Sequence, residues 1–237
     1  MISYIKVFFI IIYTAVLSVF ALISSIVDRS FKTYFIISRI FSKGVLVIGG
    51  VKLNVTGLDN LNLKKTYIFV SNHSSQFDIP AVQYSVPHKF SIVYKKELGK
   101  IPLFGWQMRL GPYIMIDRQN VENALQSIER AKKLMSGKGV SVLLFAEGTR
   151  SKTGEVQPFK RGAFYLASRV GYPIIPVSIS GADKILPKGK FRIKRGTINI
   201  HFDIPISTEN IKNRKDELDL MEKVRDIIIQ NIKKGNQ

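Results

Sequence analysis

Cysteine is absent from the chain, which excludes disulfides, thiolate nucleophiles and cysteine-ligated metals. Histidine is scarce: only His73, His88 and His201 occur, and none lies three to five residues from another, the spacing zinc sites commonly need. No metal and no cofactor are therefore expected. Acidic residues are also few, 17 against 36 basic ones, which gives a formal charge of +19. That balance alone does not choose among nucleic acid, an anionic bilayer and phosphorylated substrates. The apolar content does, because a nucleic-acid binder usually offsets its lysines with polar residues. Here the hydrophobic fraction is 46% and the mean hydropathy +0.09, so the balance tilts toward membrane. A length of 237 residues leaves room for one catalytic domain and an appendage.

Charge of either sign is missing from residues 7–27, VFFIIIYTAVLSVFALISSIV. A helix of that length, at ~1.5 Å per residue, covers a hydrocarbon core of ~30 Å. The run exceeds the usual apolar region of a signal peptide and lacks a small-x-small cleavage site. It is apolar on every face, unlike a helix that borders a core on one side. Residues 31–47 differ: Phe31, Phe35, Ile36, Ile40 and Phe41 fall near helical spacing, interrupted by Lys32, Arg39 and Lys43 as in a helix within a headgroup layer. The break at Asp28, Arg29 and Ser30 predicts a membrane-anchoring helical hairpin over residues 1–48. A spanning helix followed by a core helix is the alternative, and the sequence does not separate the two.

Beyond Gly49 and Gly50, short apolar runs alternate with amphipathic ones. Strands are predicted at 52–56, 66–71, 90–94, 113–116, 140–145, 174–180, 191–194 and 197–202, and helices at 79–84, 121–136, 162–169 and 216–233. Strands separated by helices point to an α/β fold: a single domain over 49–237 with a mixed, largely buried sheet flanked by helices. In the last helix Leu218, Met221, Val224, Ile228 and Ile232 form the expected core-facing stripe. His201 alternates with apolar neighbours and should face away from the core, and His88 falls in a loop with no assigned chemistry.

The stretch Ser71-Asn72-His73-Ser74-Ser75-Gln76-Phe77-Asp78 follows the apolar run Tyr67-Ile68-Phe69-Val70. Reacting groups of α/β folds usually stand at such a strand's carboxyl end. If the chain turns into a helix near Ser74 or Ser75, Asp78 can hold one imidazole nitrogen of His73 and leave the other as a proton acceptor. The same residues also read as a helix start, with a serine cap, Asp78 complementing the helix dipole and His73 merely exposed.

Four stretches together resemble the glycerolipid acyltransferases, most closely the 1-acylglycerol-3-phosphate (lysophosphatidic acid) O-acyltransferases. Asn72 to Asp78 is similar to that family's histidine, four residues, aspartate motif. Lys95-Lys96-Glu97-Leu98, Ile101-Pro102-Leu103-Phe104-Gly105-Trp106 and Gly111 to Arg118 resemble its second motif. Phe145-Ala146-Glu147-Gly148-Thr149-Arg150-Ser151 resembles the third, and Ile175-Pro176-Val177-Ser178-Ile179-Ser180-Gly181 the fourth. The similarity covers roughly residues 50–185 in the family's order. It implies that His73, steered by Asp78, deprotonates an acceptor hydroxyl attacking a thioester directly, without an acyl-enzyme. It also implies that the motif Glu147, Gly148, Thr149 and Arg150 forms the site for the acceptor's phosphate, Arg150 binding it through its planar fork, with Lys95 and Arg118 as further phosphate-site residues; Glu147 itself cannot contact phosphate favourably. Glu147 then positions Arg150 or its loop.

By this resemblance the donor is acyl-CoA or acyl-carrier protein, the acceptor a lysophospholipid such as lysophosphatidic acid, and the product phosphatidic acid. Other expected acceptors are glycerol 3-phosphate or another lysolipid. The basic run Lys184, Lys188, Lys190, Arg192, Lys194 and Arg195 would face an anionic membrane surface, coenzyme A phosphates or an acidic carrier protein, or simply solvent. Nucleic acid is not an expected partner, although a non-catalytic basic membrane or nucleic-acid binder is the rival class. A bacterial inner membrane is the expected location, with the domain on the cytoplasmic side where both donors are made and where the positive charge after the first helix belongs.

Overall fold

Apolar runs too short for helices and bounded by turn residues become the strands, and the longer amphipathic runs wrap them. The computed structural model describes residues 2–116 and 121–235. Two long helices come first, α1 (Ile2–Val27) and α2 (Lys32–Gly49). They are followed by β1 (Val51–Thr56), β2 (Ile68–Ser71), α3 (Asp78–Ser85), β3 (Phe90–Lys95), α4 (Phe104–Leu110), β4 (Ile114–Ile116), α5 (Val121–Lys138) and β5 (Ser141–Phe145). The chain ends with α6 (Gly162–Val170), β6 (Ile174–Ser180), α7 (Ala182–Ile185), β7 (Gly196–Phe202) and α8 (Arg214–Gly235).

The sheet has the order β1-β7-β6-β2-β5-β3-β4. From β6 to β4 every pairing is parallel; β7 runs antiparallel to β6, and β1 is parallel to β7. The sheet is therefore mixed. Strand β2 is central, buried at all four of its residues, as a parallel strand covered on both faces must be. Its Phe69 meets Phe90 edge to face, with ring centroids 4.7 Å apart. Helix α8 packs against β6 and α6, α5 against β4 and β5, and α3 against α2, β1 and β7.

Seven of the eight predicted strands form, and 191–194 does not. The strand that follows it, β7, is already paired on both sides by β1 and β6. The segment is instead a loop closed by Lys194 N–H donating to Ile185 O at 3.0 Å. The stripe of α8 is also rotated from expectation: Leu220, Val224 and Ile228 are buried, whereas Leu218 is exposed and Met221 and Ile232 flank the core. The short helices α4 and α7 have no counterpart among the predicted elements.

Helices α1 and α2 form a hairpin. Asp28 closes it by accepting from Ser30 N–H and Thr33 N–H, both at 2.9 Å. Only Ser18, Ala21, Ser24 and Ser25 of α1 are buried, while Ile5, Phe8, Phe9, Ile12, Val16, Phe20 and Ile23 are exposed. Helix α2 turns its Tyr34, Ser38, Ser42, Val45 and Leu46 side inward. There Gln83 of α3 donates to Tyr113 Oη at 2.9 Å and to Ser38 Oγ, and accepts from Ser42 Oγ at 2.8 Å. Tyr34 Oη donates to Gln107 of α4. The hairpin is thus joined to the domain by satisfied buried polar groups, each costly to leave unpaired.

Helix α4 also depends on close approach. A Cβ on Gly105 would lie 2.5 Å from both Leu98 O and Gly99 C, backbone atoms that cannot swing aside. Gly105→Ala should therefore lower unfolding free energy by about 1–3 kcal/mol, measured as the urea midpoint of the full chain in detergent micelles.

Candidate active site

Strand β2 ends at Ser71, between β5 and β6 at the carboxyl end of the parallel set, where open α/β sheets leave a crevice. The next residue extends the sheet with its side chain. Asn72, buried, donates through Nδ2 to Ile179 O at 2.8 Å and accepts through Oδ1 from Ile179 N–H at 2.9 Å. This amide stands in for one more ladder residue and fixes where the chain leaves the sheet. Asn72 lay inside the first recognised motif with no role assigned. A buried amide following an apolar strand is the signal that could have marked it.

His73 comes next, and its Nδ1 lies 2.7 Å from Asp78 Oδ2. The same oxygen accepts the backbone N–H groups of Ser74 at 2.7 Å and Ser75 at 2.8 Å. Helix α3 begins at Asp78, with no serine side chain capping it; Ser75 Oγ donates instead to Leu186 O at 2.9 Å. The aspartate therefore both ties the turn and steers the imidazole. An ionised carboxylate is acceptor-only, so Nδ1 carries the hydrogen and Nε2 is presented as the acceptor. Phe145, at the end of β5, stacks on the imidazole with centroids 4.1 Å apart.

The loop after β5 holds His73 by both backbone atoms. Glu147 Oε1 accepts His73 N–H at 2.9 Å, and Ser151 N–H donates to His73 O at 2.7 Å. Between them the chain makes a tight turn in which Gly148, at φ 71°, takes a left-handed conformation that disfavours any side chain. Burial pushes the Glu147 carboxyl up from its ordinary 4.5 to about 7, against the pull of the His73 and Gln157 backbone N–H groups.

His73, Lys95, Gly148, Thr149 and Arg150 line one cavity of about 1220 Å³. Lys160, Arg161 and Lys188 add positive charge at its polar end. The cavity continues between the hairpin helices, along Ile10, Leu17, Ile37 and Phe41. Lys95 closes β3 with its side chain exposed. Arg118 lies outside the described residues. Lys188, expected only as part of a basic run, instead donates from Nζ to Thr149 Oγ1 at 3.1 Å and to Arg150 O at 2.7 Å. Its distance along the chain from the third motif hid this contact. His88 is a structural residue: its Nε2 lies 2.6 Å from Ser141 Oγ, and burial lowers its pKa. His201 is half-exposed beside Thr56, with Nδ1 at 2.9 Å from Oγ1. Among the described residues no cluster of three or more histidine or acidic side chains could hold a metal ion.

A family model described as Acyltransferase matches residues 52–180, more than half of the chain and the stretch that carries His73, Asp78, Phe145, Glu147 and Arg150. The chain belongs to the acyltransferase family. This acyltransferase is 33% identical over 188 residues to a 1-acyl-sn-glycerol-3-phosphate acyltransferase of Limnanthes douglasii, an alignment covering 79% of the chain and 66% of the plant protein. It is 31% identical over 216 residues to the Saccharomyces cerevisiae protein of the same name, covering 90% of the chain and 70% of the yeast protein. The fold of this acyltransferase is that of the 1-acyl-sn-glycerophosphate (LPA) acyltransferase PlsC from Thermotoga maritima. That crystal structure superposes with a TM-score of 0.85 at 26% identity, covering 99% of the chain and 95% of its counterpart.

Asn72→Ala leaves two buried groups of Ile179 unpaired, so a loss of roughly 2–3 kcal/mol in unfolding free energy is expected by urea titration. For Glu147 the folded-state pKa lies above the ordinary value, so folding favours its protonated form. That contribution is complete below 4.5 and is lost as pH rises through about 7. Glu147→Gln keeps an acceptor for His73 N–H without the ionisation. Between about pH 5 and about pH 8 the wild type should lose stability relative to that variant, read from paired urea titrations. Parallel curves for the two would disprove the burial argument.

Proposed function

We propose that the chain transfers a fatty acyl group from acyl-CoA or acyl-carrier protein to the free hydroxyl of lysophosphatidic acid, forming phosphatidic acid. The observation that carries this reading is the 2.7 Å contact between His73 Nδ1 and Asp78 Oδ2 in a cavity with a basic end at Arg150 and Lys188 and an apolar end between α1 and α2. Such a cavity suits an amphiphile with a phosphate and an aliphatic tail. The names of the plant, yeast and Thermotoga relatives support the same acceptor.

In this reading the acceptor hydroxyl gives its proton to His73 Nε2 as its oxygen attacks the thioester carbonyl. The carbon–sulfur bond then breaks, and the departing thiolate takes the proton from the imidazolium. Asp78 keeps the ring in the required tautomer and stabilises its transient charge. Arg150 takes the acceptor's phosphate through paired hydrogen bonds, with Lys95 and Arg118 as additional cations. Gly148 and Thr149 shape the turn, and Glu147 positions the histidine's backbone. Glycerol 3-phosphate and other lysolipids carry the same nucleophilic hydroxyl, so a direct comparison of acceptors decides among them.

Membrane attachment through α1 belongs to the same proposal. That helix is the one among the described residues long and apolar enough to cross a bilayer. Yet it lies along the domain: Ser3 Oγ donates to Ile193 O at 3.3 Å, α4 packs against the helix, and the buried Ser18 and Ala21 border the same cavity as His73. Lys6 Nζ and Tyr13 Oη, donating to Gly49 O at 2.6 Å and Ile40 O at 2.8 Å, bind it to α2. A spanning helix would carry one end away from a domain lying on one side. This geometry favours a helix lying in one leaflet with its exposed apolar side in the acyl layer. We place the domain on the cytoplasmic side of a bacterial inner membrane, where the acyl donors are made.

Acyl transfer to lysophosphatidic acid by the purified full chain tests the reading. His73→Ala should lose at least about 10²-fold to 10⁴-fold in kcat. Arg150→Ala should raise KM for the acceptor by roughly 10-fold to 100-fold, with a smaller effect on the donor. Equal turnover by wild type and His73→Ala would eliminate the assignment.

A further inference from the structure

Residues 188–195 carry Lys188, Lys190, Arg192, Lys194 and Arg195 and no acidic residue. In the midst of those charges Phe191 is 73% exposed. A single exposed aromatic needs no explanation, but this one is held out by the backbone around it. Lys190 N–H donates to Pro187 O at 3.1 Å, Lys194 N–H donates to Ile185 O at 3.0 Å, and Ile193 is buried. One end of the segment adjoins the first turns of α1: Ser3 Oγ donates to Ile193 O at 3.3 Å, and the Arg195 side chain packs beside Gly50. Ile2, Tyr4 and Ile5 of that helix are themselves exposed. The other end reaches the cavity, where Lys188 Nζ holds Thr149 Oγ1 and Arg150 O.

We propose that this loop is a second lipid-docking element, in which Phe191 enters the acyl boundary of an anionic leaflet while Lys190, Arg192, Lys194 and Arg195 take headgroup phosphates. An exposed aromatic among cations, continuous with an apolar helix surface, matches an anionic lipid interface. A nucleic acid or an acidic carrier protein would match the charge but leave the continuity with α1 without purpose. Stable surface attachment commonly takes an apolar insertion plus a basic patch, and α1 with this loop supplies both. Through Lys188 the docked loop sets the depth of the Thr149–Arg150 turn at the headgroup layer, so an acceptor's phosphate would meet the cavity without leaving the interface. That last consequence rests on the acyltransferase reading; the lipid contact itself does not.

Trp106 is the only tryptophan, so the full-length Trp106→Phe/Phe191→Trp variant carries a single reporter in the loop. On phosphatidylglycerol-containing vesicles its emission should shift to the blue and be quenched by lipids brominated near the headgroup end of the chains. Replacing Lys190, Arg192 and Lys194 with serine should weaken binding to those vesicles about fivefold per residue, roughly 100-fold together. The same replacement should leave partition into phosphatidylcholine vesicles nearly constant, because α1 is intact. A reporter that stays at its free-water emission while the protein sediments with the vesicles overturns the proposal. So does a blue shift produced by an acidic carrier protein or an oligonucleotide without lipid. A blue shift accompanied by no acyl transfer from the wild-type chain would remove the proposed enzymatic activity and leave the lipid contact standing.

Discussion

One carboxylate oxygen organises the site. Asp78 Oδ2 receives His73 Nδ1 and the backbone N–H groups of Ser74 and Ser75, so the imidazole's direction, the shape of the turn and the start of α3 are fixed by the same atom. None of the three can change alone. Charge-assisted bonds of this kind are the stronger class of hydrogen bond, and the oxygen that makes them sits within a fully buried residue. The far side of the histidine is governed by a second segment, since Glu147 and Ser151 engage its N–H and carbonyl. The first and third sequence motifs are thereby a single mechanical unit, built where two adjacent parallel strands end in register at Ser71 and Phe145.

A second constraint acts at the other end of the cavity. Tyr34, Ser38 and Ser42 of α2 meet Gln83, Gln107 and Tyr113 in a buried polar cluster. In surroundings otherwise apolar, such a cluster tolerates few arrangements, because each misplaced partner leaves a donor or acceptor stranded. It fixes the hairpin's orientation on the domain where apolar packing alone would permit sliding.

The sequence made the sheet legible because five of its strands are parallel neighbours whose burial leaves continuous apolar runs such as Ile68-Phe69-Val70 and Ile174 to Ser180. Helix α4, seven residues long, gives too few turns for a period to register, and its fold depends on Gly105 meeting backbone, a contact without sequence signature. The 191–194 segment has the alternation of a strand but folds as a loop held by Lys194 N–H on Ile185 O, because strand pairing depends on tertiary context as well as local pattern. At the site, His73 and Asp78 stood out because a short spacing brings them together. Lys188 did not, since its contact with Arg150 spans 38 residues and needed the folded sheet to appear. Phe145 read as the end of a strand and the start of the third motif with no role of its own, yet it forms the surface against which the imidazole lies.

Because Ile10, Thr14, Leu17 and Ser18 of α1 form part of the cavity's boundary, the most apolar helix of the described residues is also a wall of the compartment. Trimming it to obtain a water-soluble protein would breach the chamber it encloses. The apolar character of that helix and the dimensions of the interior are consequently inherited together: a substitution on its inner side also redraws the space that leads to the histidine.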